Sequence, residues 1–178
     1  MKFNLIIIFF IIFISKNLYS DETSEWLKRE IDIILEAYKN QNLSNENRFL
    51  LIEKTINNNF AGTGIAKFVA GEAWKKSDKN TKKIYIDNFK RHLALNIASM
   101  MQGYSDQTYE LTKSKYDSKN QVTLIDMEIF SDTGSVVVTW RVKESKDRFF
   151  VIDLIVADIS LVVTKRSEFN SMLKKVDN

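Results

Sequence analysis

The chain has 178 residues, 44% hydrophobic and 28% charged, with a formal net charge of +3. That balance suits one folded domain and disfavours a disordered chain. The absence of Cys removes disulfides, thiolate nucleophiles, Fe–S clusters and Cys-ligated zinc, and a single histidine, His92, removes any site needing two imidazoles.

Residues 1–20 read as a targeting segment outside the fold. Lys2 is followed by an apolar run from Phe3 to Ile14. About 12 residues is short of the ~20 that span a bilayer and fits the core of a secretory signal. Cleavage is expected after Ser20, ahead of Asp21 and Glu22, and no Cys is present to carry a lipid anchor. Removing Lys2 and Lys16 takes the net charge from +3 to about +1. That near-neutrality argues against nucleic-acid binding and against electrostatic adhesion to an anionic membrane. Residues 21–178 are expected to form a single domain.

The first part of that domain reads as helical. Leu27, Ile31, Ile34 and Tyr38 repeat at helical spacing, with Trp26 and Leu35 widening the stripe. Residues 40–44 break the pattern, and Ser44 is a good N-cap for a second helix carrying Phe49, Ile52, Ile56 and Phe60. Residues 60–64 (FAGTG) predict a turn or helix junction. Ile65, Phe68 and Val69 mark a short third helix. Ser77 is expected to cap a long fourth helix with Tyr85, Phe89, Leu93, Ile97 and Met101 at four-residue intervals. Such a stripe drifts ~40° per step, so it winds and meets more than one neighbour.

After Gly103 the period falls to two. Strands are expected over 109–115, 122–130, 135–142 and 149–156, with a brief extension at 160–163 and a short helix over 168–176. In 122–130, Ile125, Met127 and Ile129 face one way and Asp126 and Glu128 the other; in 135–142, Val136, Val138, Trp140 and Val142 share a face. Residues 143–147 read as a charged hairpin connection. The strand 149–156 is apolar on both faces except at Asp153, which predicts a central, doubly covered strand. Helices followed by an antiparallel meander imply an α+β fold: N-terminal helices packed on a twisted, mainly antiparallel sheet of four to five strands, closed by a short C-terminal helix.

Catalytic patterns are missing. There is no Gly-x-Ser-x-Gly elbow, P-loop, dinucleotide fingerprint or metal-binding His pair. Gly62 and Gly64 suit a helix junction better than a phosphate cradle. His92, at the edge of the long stripe, reads as a partly buried structural residue. Asp126 and Glu128 suit an outer strand face, and Asp153 needs a partner such as Arg141 or Arg166. No catalytic residue, metal or cofactor is expected. The chain is rich instead in aliphatic and aromatic surface, with soft Met100, Met101, Met127 and Met172 that suit a cavity for a flexible ligand.

Three stretches carry a resemblance: 65–77 (IAKFVAGEAWKKS), 85–93 (YIDNFKRHL) running to Gly103 and Tyr104, and 153–169 (DLIVADISLVVTKRSEF). In this order and spacing the chain resembles the MlaC-type, or toluene-tolerance, periplasmic phospholipid-binding family over nearly all of 21–178. Members of that family usually carry Gly where this chain has Asp158, a residue that tolerates left-handed backbone better than most. The resemblance implies a periplasmic carrier without catalytic residues. It would hide two acyl chains in an apolar cavity and exchange lipid with an inner-membrane Mla-type ABC transporter and an outer-membrane lipoprotein–porin complex.

For such a cavity the expected walls are Ile65, Phe68 and Val69; Phe89, Leu93, Ile97, Met100 and Met101 on the long helix; Val136, Val138 and Trp140; and Val151 and Ile155. The headgroup is expected at the mouth in solvent, with weak selectivity, and the protein as a monomer. The alternative is a periplasmic protein-interaction module with a solid core and no lipid ligand; a small hydrolase would need a polar cluster about Asp153 or His92 in a pocket.

Overall fold

The computed structural model describes residues 15–104 and 107–176, with side chains from 22 to 104 and 107 to 175. The apolar run of residues 3–14 lies outside them. Helix α1 (Ser15–Lys39) passes through the expected cleavage point after Ser20. Helix α2 (Asn45–Asn59) starts at Ser44, whose hydroxyl accepts from the Asn47 amide at 3.2 Å, the local bond that a helix N-terminus otherwise lacks. Helices α3 (Gly62–Ala70) and α4 (Glu72–Lys76) meet at Gly71, whose φ of 55° suits a residue without Cβ. Helix α5 (Lys79–Met101) is capped by Asp78, which accepts from the amides of Asn80 at 2.8 Å and Thr81 at 3.0 Å. The expected cap, Ser77, instead donates to the Ala73 carbonyl and closes α4.

Strands β1 (Thr108–Asp117), β2 (Val122–Ser131), β3 (Gly134–Ser145), β4 (Arg148–Val156) and β5 (Ile159–Ser160) form an antiparallel meander in sequence order. The register sets Ile125 opposite Trp140, Met127 opposite Val138 and Ile129 opposite Val136, so the period-two faces meet as read. Helix α6 (Leu161–Val176) follows directly. Together these give the expected α+β fold.

Several boundaries differ from expectation. The hairpin after β3 shrinks to Lys146 and Asp147, both at positive φ, as a tight two-residue turn requires. Ala157 and Asp158 form another such turn, at φ 48° and 64°, so Asp fills the left-handed position where Gly is usual. Of residues 160–163 only Ser160 joins the sheet, in β5; its hydroxyl also caps α6, accepting from the Val163 amide, and 161–163 are helical. The C-terminal helix therefore begins seven residues earlier than expected. Strand β4 is penultimate rather than central; its free edge is met by β5 and by a parallel bridge from Phe60, with the Ala61 amide donating to the Val151 carbonyl. His92 is exposed rather than partly buried.

Helix α1 lies across β1 and β2, α2 packs on α5, and α3 fills the angle among α5, α6 and β4. Two apolar clusters result. One joins α1 to the sheet through Leu27, Ile125 and Val142, flanked by Trp26, Ile31, Leu111, Trp140 and Phe149. The other joins α2 to α5 through Ile52, Ile56 and Ala94, flanked by Ile34, Leu93, Ile97 and Met101 among others.

Candidate functional site: an apolar hollow between two clusters

The two clusters do not merge. Between them lies a hollow of about 180 Å³, widening to about 890 Å³ of free space when its mouth is included. Helix α1 supplies Trp26, Leu27, Ile31, Ile34 and Leu35; α2 supplies Ile52 and Ile56; α5 supplies Ile97 and Met101. The sheet adds Tyr109, Met127, Ile129, Trp140 and Val151, and Phe60 closes one side. The exposed wall is almost wholly apolar, and the polar residues that border it are Glu30, Thr55, Asn59, Tyr104, Gln107 and Thr108.

Such a void is expensive. At ~24 cal/mol per Å³, a 180 Å³ cavity forgoes about 4 kcal/mol of packing. That is a large part of the roughly 5–15 kcal/mol by which domains are stable. Filling it with one larger side chain would recover much of that, so a sequence that keeps it open is keeping room for something. A hollow of about 150 Å³ lined this way stays dry and takes small hydrocarbons.

The polar groups at the border are mostly paired. Asn59 donates to Glu30 at 2.5 Å. The Tyr109 hydroxyl donates to Asp32 at 2.5 Å, and Lys28 reaches the other oxygen of that carboxylate at 2.7 Å, tying β1 to α1 beside the hollow. Burial alone would raise the Asp32 pKa; the bonds from Lys28 and Tyr109 and the Lys28 charge outweigh it and hold the carboxyl below its ordinary value. Burial, with the Asp32 bond and charge, holds the Tyr109 phenol protonated far above neutrality. The Trp140 indole N–H, in contrast, is buried without a partner among the described residues.

Of the thirteen residues expected as walls, Ile97, Met101, Trp140 and Val151 line this hollow. The other nine sit elsewhere. Val136 and Val138 share Trp140's sheet face but lie beyond the hollow, Val138 buried and Val136 43% exposed. Leu93 packs into the helical cluster, and Phe89 stands against Tyr85 with ring centroids 5.9 Å apart. Ile65 and Val69 are buried along α3. Phe68 is exposed beneath the Arg166 guanidinium, 4.6 Å from its ring centre, and Met100 is 62% exposed. Ile155 pairs with Thr139, on the face opposite Trp140, because a bulge between Arg141 and Val142 shifts the alternation along β4. The stripe of α1 was visible as a periodic pattern. That it faces a gap and not a filled core is set by the distance between layers, which no periodicity reports.

The remaining sequence candidates are accounted for locally. Asp153 accepts from Ser160 at 2.7 Å, the Leu154 amide at 2.9 Å and the Val162 amide at 3.2 Å, with Arg141 at 3.5 Å; it ties β4 to the start of α6. Asp126 and Glu128 accept from Thr139 and Ser135 on the outer sheet face. Among the described residues no group of three or more His, Asp or Glu is placed to hold a metal ion.

The fold has a solved counterpart. It is similar to a phospholipid-binding protein from Ralstonia solanacearum whose structure was determined in complex with a phospholipid: TM-score 0.76, 16% identity, with 89% of each chain covered. No curated protein sequence matches the chain. The family model described as MlaC protein matches residues 28–178. The whole of the described fold apart from the start of α1 falls within that match, and the chain belongs to the MlaC family.

Proposed function

We propose that this protein is a periplasmic phospholipid carrier: exported by residues 1–20, it takes the acyl chains of one phospholipid into the hollow and shuttles the lipid between the inner and outer membranes. The observation that carries the reading is the unfilled, almost wholly apolar space between two separately packed clusters. Family membership and the phospholipid bound by the Ralstonia protein support it. Exchange with an inner-membrane Mla-type ABC transporter and an outer-membrane lipoprotein–porin complex is the corresponding proposal for partners.

The energetics fit a carrier. Two acyl chains hold roughly 30 methylenes, and at ~0.8 kcal/mol each their exposure to water would cost about 24 kcal/mol. A carrier removes that barrier without binding more tightly than a bilayer; it needs only a dry interior of similar apolarity. At about 180 Å³ the hollow is smaller than two tails, so loading parts the α1–sheet cluster from the α2–α5 cluster. That seam is already unpacked, which keeps the cost of parting low.

Incubation of delipidated protein with vesicles of phosphatidylethanolamine and phosphatidylglycerol, followed by separation and native mass spectrometry, tests the reading. The expected product is a complex of one protein and one diacyl phospholipid. A protein that stays empty in this assay, and is also empty as purified, is the solid-core interaction module instead.

A further inference from the structure

A second hollow, of about 520 Å³, adjoins the first: Met101 and Tyr104 line both. It continues the α1–α2–α5 groove past Leu35 and Ile52 to Tyr38, Phe49 and Arg48. Its character is different, since about half of its wall is polar. Arg48 is the one charged residue among those lining it, and no carboxylate is among them.

Arg48 is held without being neutralised. Its Nε donates to the Ala37 carbonyl at 3.2 Å, one terminal nitrogen to the Asn40 carbonyl at 2.8 Å, and the other to the Asn45 side-chain oxygen at 3.1 Å. The guanidinium lies 5.4 Å from the centre of the Tyr38 ring. Every one of these partners is neutral, and among the described residues Arg48 makes no ion pair. The bonds to Ala37 and Asn40 hold the last turn of α1, as a cation at a helix C-terminus does. They also fix the fork rigidly while leaving part of its donor set unused. A preorganised guanidinium with spare N–H groups, in a hollow with no compensating acid, is suited to a phosphodiester. Asn45 and Gln102 in the same wall add neutral donors for the ester oxygens.

We propose that Arg48 anchors the phosphate of the lipid whose tails occupy the apolar hollow, so that the protein takes phospholipids and discriminates against neutral diacylglycerol of the same chains. This rests on the carrier reading above. It sharpens the expected weak headgroup selectivity: discrimination falls between lipids with and without phosphate, not among phospholipid headgroups.

The test loads the delipidated full mature chain from mixed vesicles containing equal phosphatidylglycerol and diacylglycerol with identical tails, and reads bound species by native mass spectrometry. The wild type is expected to favour phosphatidylglycerol by about tenfold or more, the scale of one charge-assisted hydrogen-bond pair. Arg48→Gln is expected to bring the ratio close to one; Arg48→Lys keeps part of the preference. Should loss of the α1 cap unfold Arg48→Gln, Ser99→Asp sets a negative charge in the same hollow without touching that cap and is expected to abolish the preference too. An unchanged ratio in the folded variants, with only Tm lowered, overturns the proposal and leaves Arg48 a helix cap. Equal uptake of both lipids by the wild type overturns it while the carrier reading stands; uptake of neither overturns both. Inorganic phosphate alone is expected neither to raise Tm nor to displace lipid. If it does both, through Arg48, the site serves a free anion and the proposal is wrong.

Discussion

The sheet-side cluster and the seam beside it are built from the same kinds of residue and do opposite things. Ile125 and Val142 are enclosed on every side, at 0% and 1% exposure. Ile97, Met127 and Trp140 offer one flank to neighbours and another to empty space. Apolar composition therefore does not decide whether a side chain stabilises the fold or shapes a site; the presence of partner atoms on its far side does. Asp153 adds a polar version of the lesson. Buried at 4% exposure, it is satisfied by four donors, whereas the indole N–H of Trp140 in the seam has no partner among the described residues.

That contrast is open to attack by substitution. Asp153→Ala has the largest expected effect, a loss of about 3–5 kcal/mol, because Arg141, two amides and the Ser160 hydroxyl all lose their acceptor. Urea denaturation measures it, and a loss below 1 kcal/mol would show that water replaces the carboxylate. Ile125→Ala should cost about 2–5 kcal/mol and leave lipid uptake intact. Ile97→Ala, at the seam, should cost only about 1–2 kcal/mol, since part of its surface has no contacts to lose, and uptake should hold or rise. Equal costs for the two isoleucines would mean that the seam is packed as tightly as the cluster.

The smallest effect is expected at the tie between α1 and β1. Tyr109→Phe removes one hydrogen bond to a carboxylate, about 1 kcal/mol. Because the Asp32 pKa is lowered in the folded state, its contribution is fully present above its ordinary value of 3.8 and is lost as pH falls through the depressed folded value. The stability of the wild type should therefore fall with acidification in that window, and that of Tyr109→Phe less steeply. Parallel acid profiles for the two proteins would show that Tyr109 does not contribute to the shift.

Much of this fold was legible in the sequence because its signals are local. Period-two alternation showed which residues of β2 and β3 share a face, a grouping the register keeps by setting Ile125 opposite Trp140 and Met127 opposite Val138, and Ser44 announced its helix through side-chain chemistry alone. Asp153, an acid in an apolar strand, demanded a partner and found Arg141, as one of two arginines considered. What was not legible depends on distances between elements or on one-residue slips. The bulge beside Val142 turned Ile155 away from Trp140's face. The β-branched run after Ser160 read as strand, yet the Ser160 hydroxyl and the Asp153 carboxylate hold the amides of Val163 and Val162 and start a helix. The candidate walls on α5 lie along one winding stripe, and only Ile97 and Met101 meet the hollow: Leu93 turns into the cluster with α2, Phe89 stands against Tyr85, and Met100 is exposed. Of the α1 stripe, Ile31 and Ile34 stand over the gap, while Leu27 borders it and is also buried in the sheet-side cluster.

The central claim is that acyl chains enter the seam, and two tryptophans sit there to report it. Trp26 and Trp140 line the hollow, while Trp74 lies on α4 beneath Lys82. In a Trp74→Phe background, loading with phospholipid brominated along its tails should quench most of the tryptophan emission, and the unbrominated lipid should not. Stoichiometric lipid binding with no quenching by the bromines would place the tails elsewhere and contradict the account.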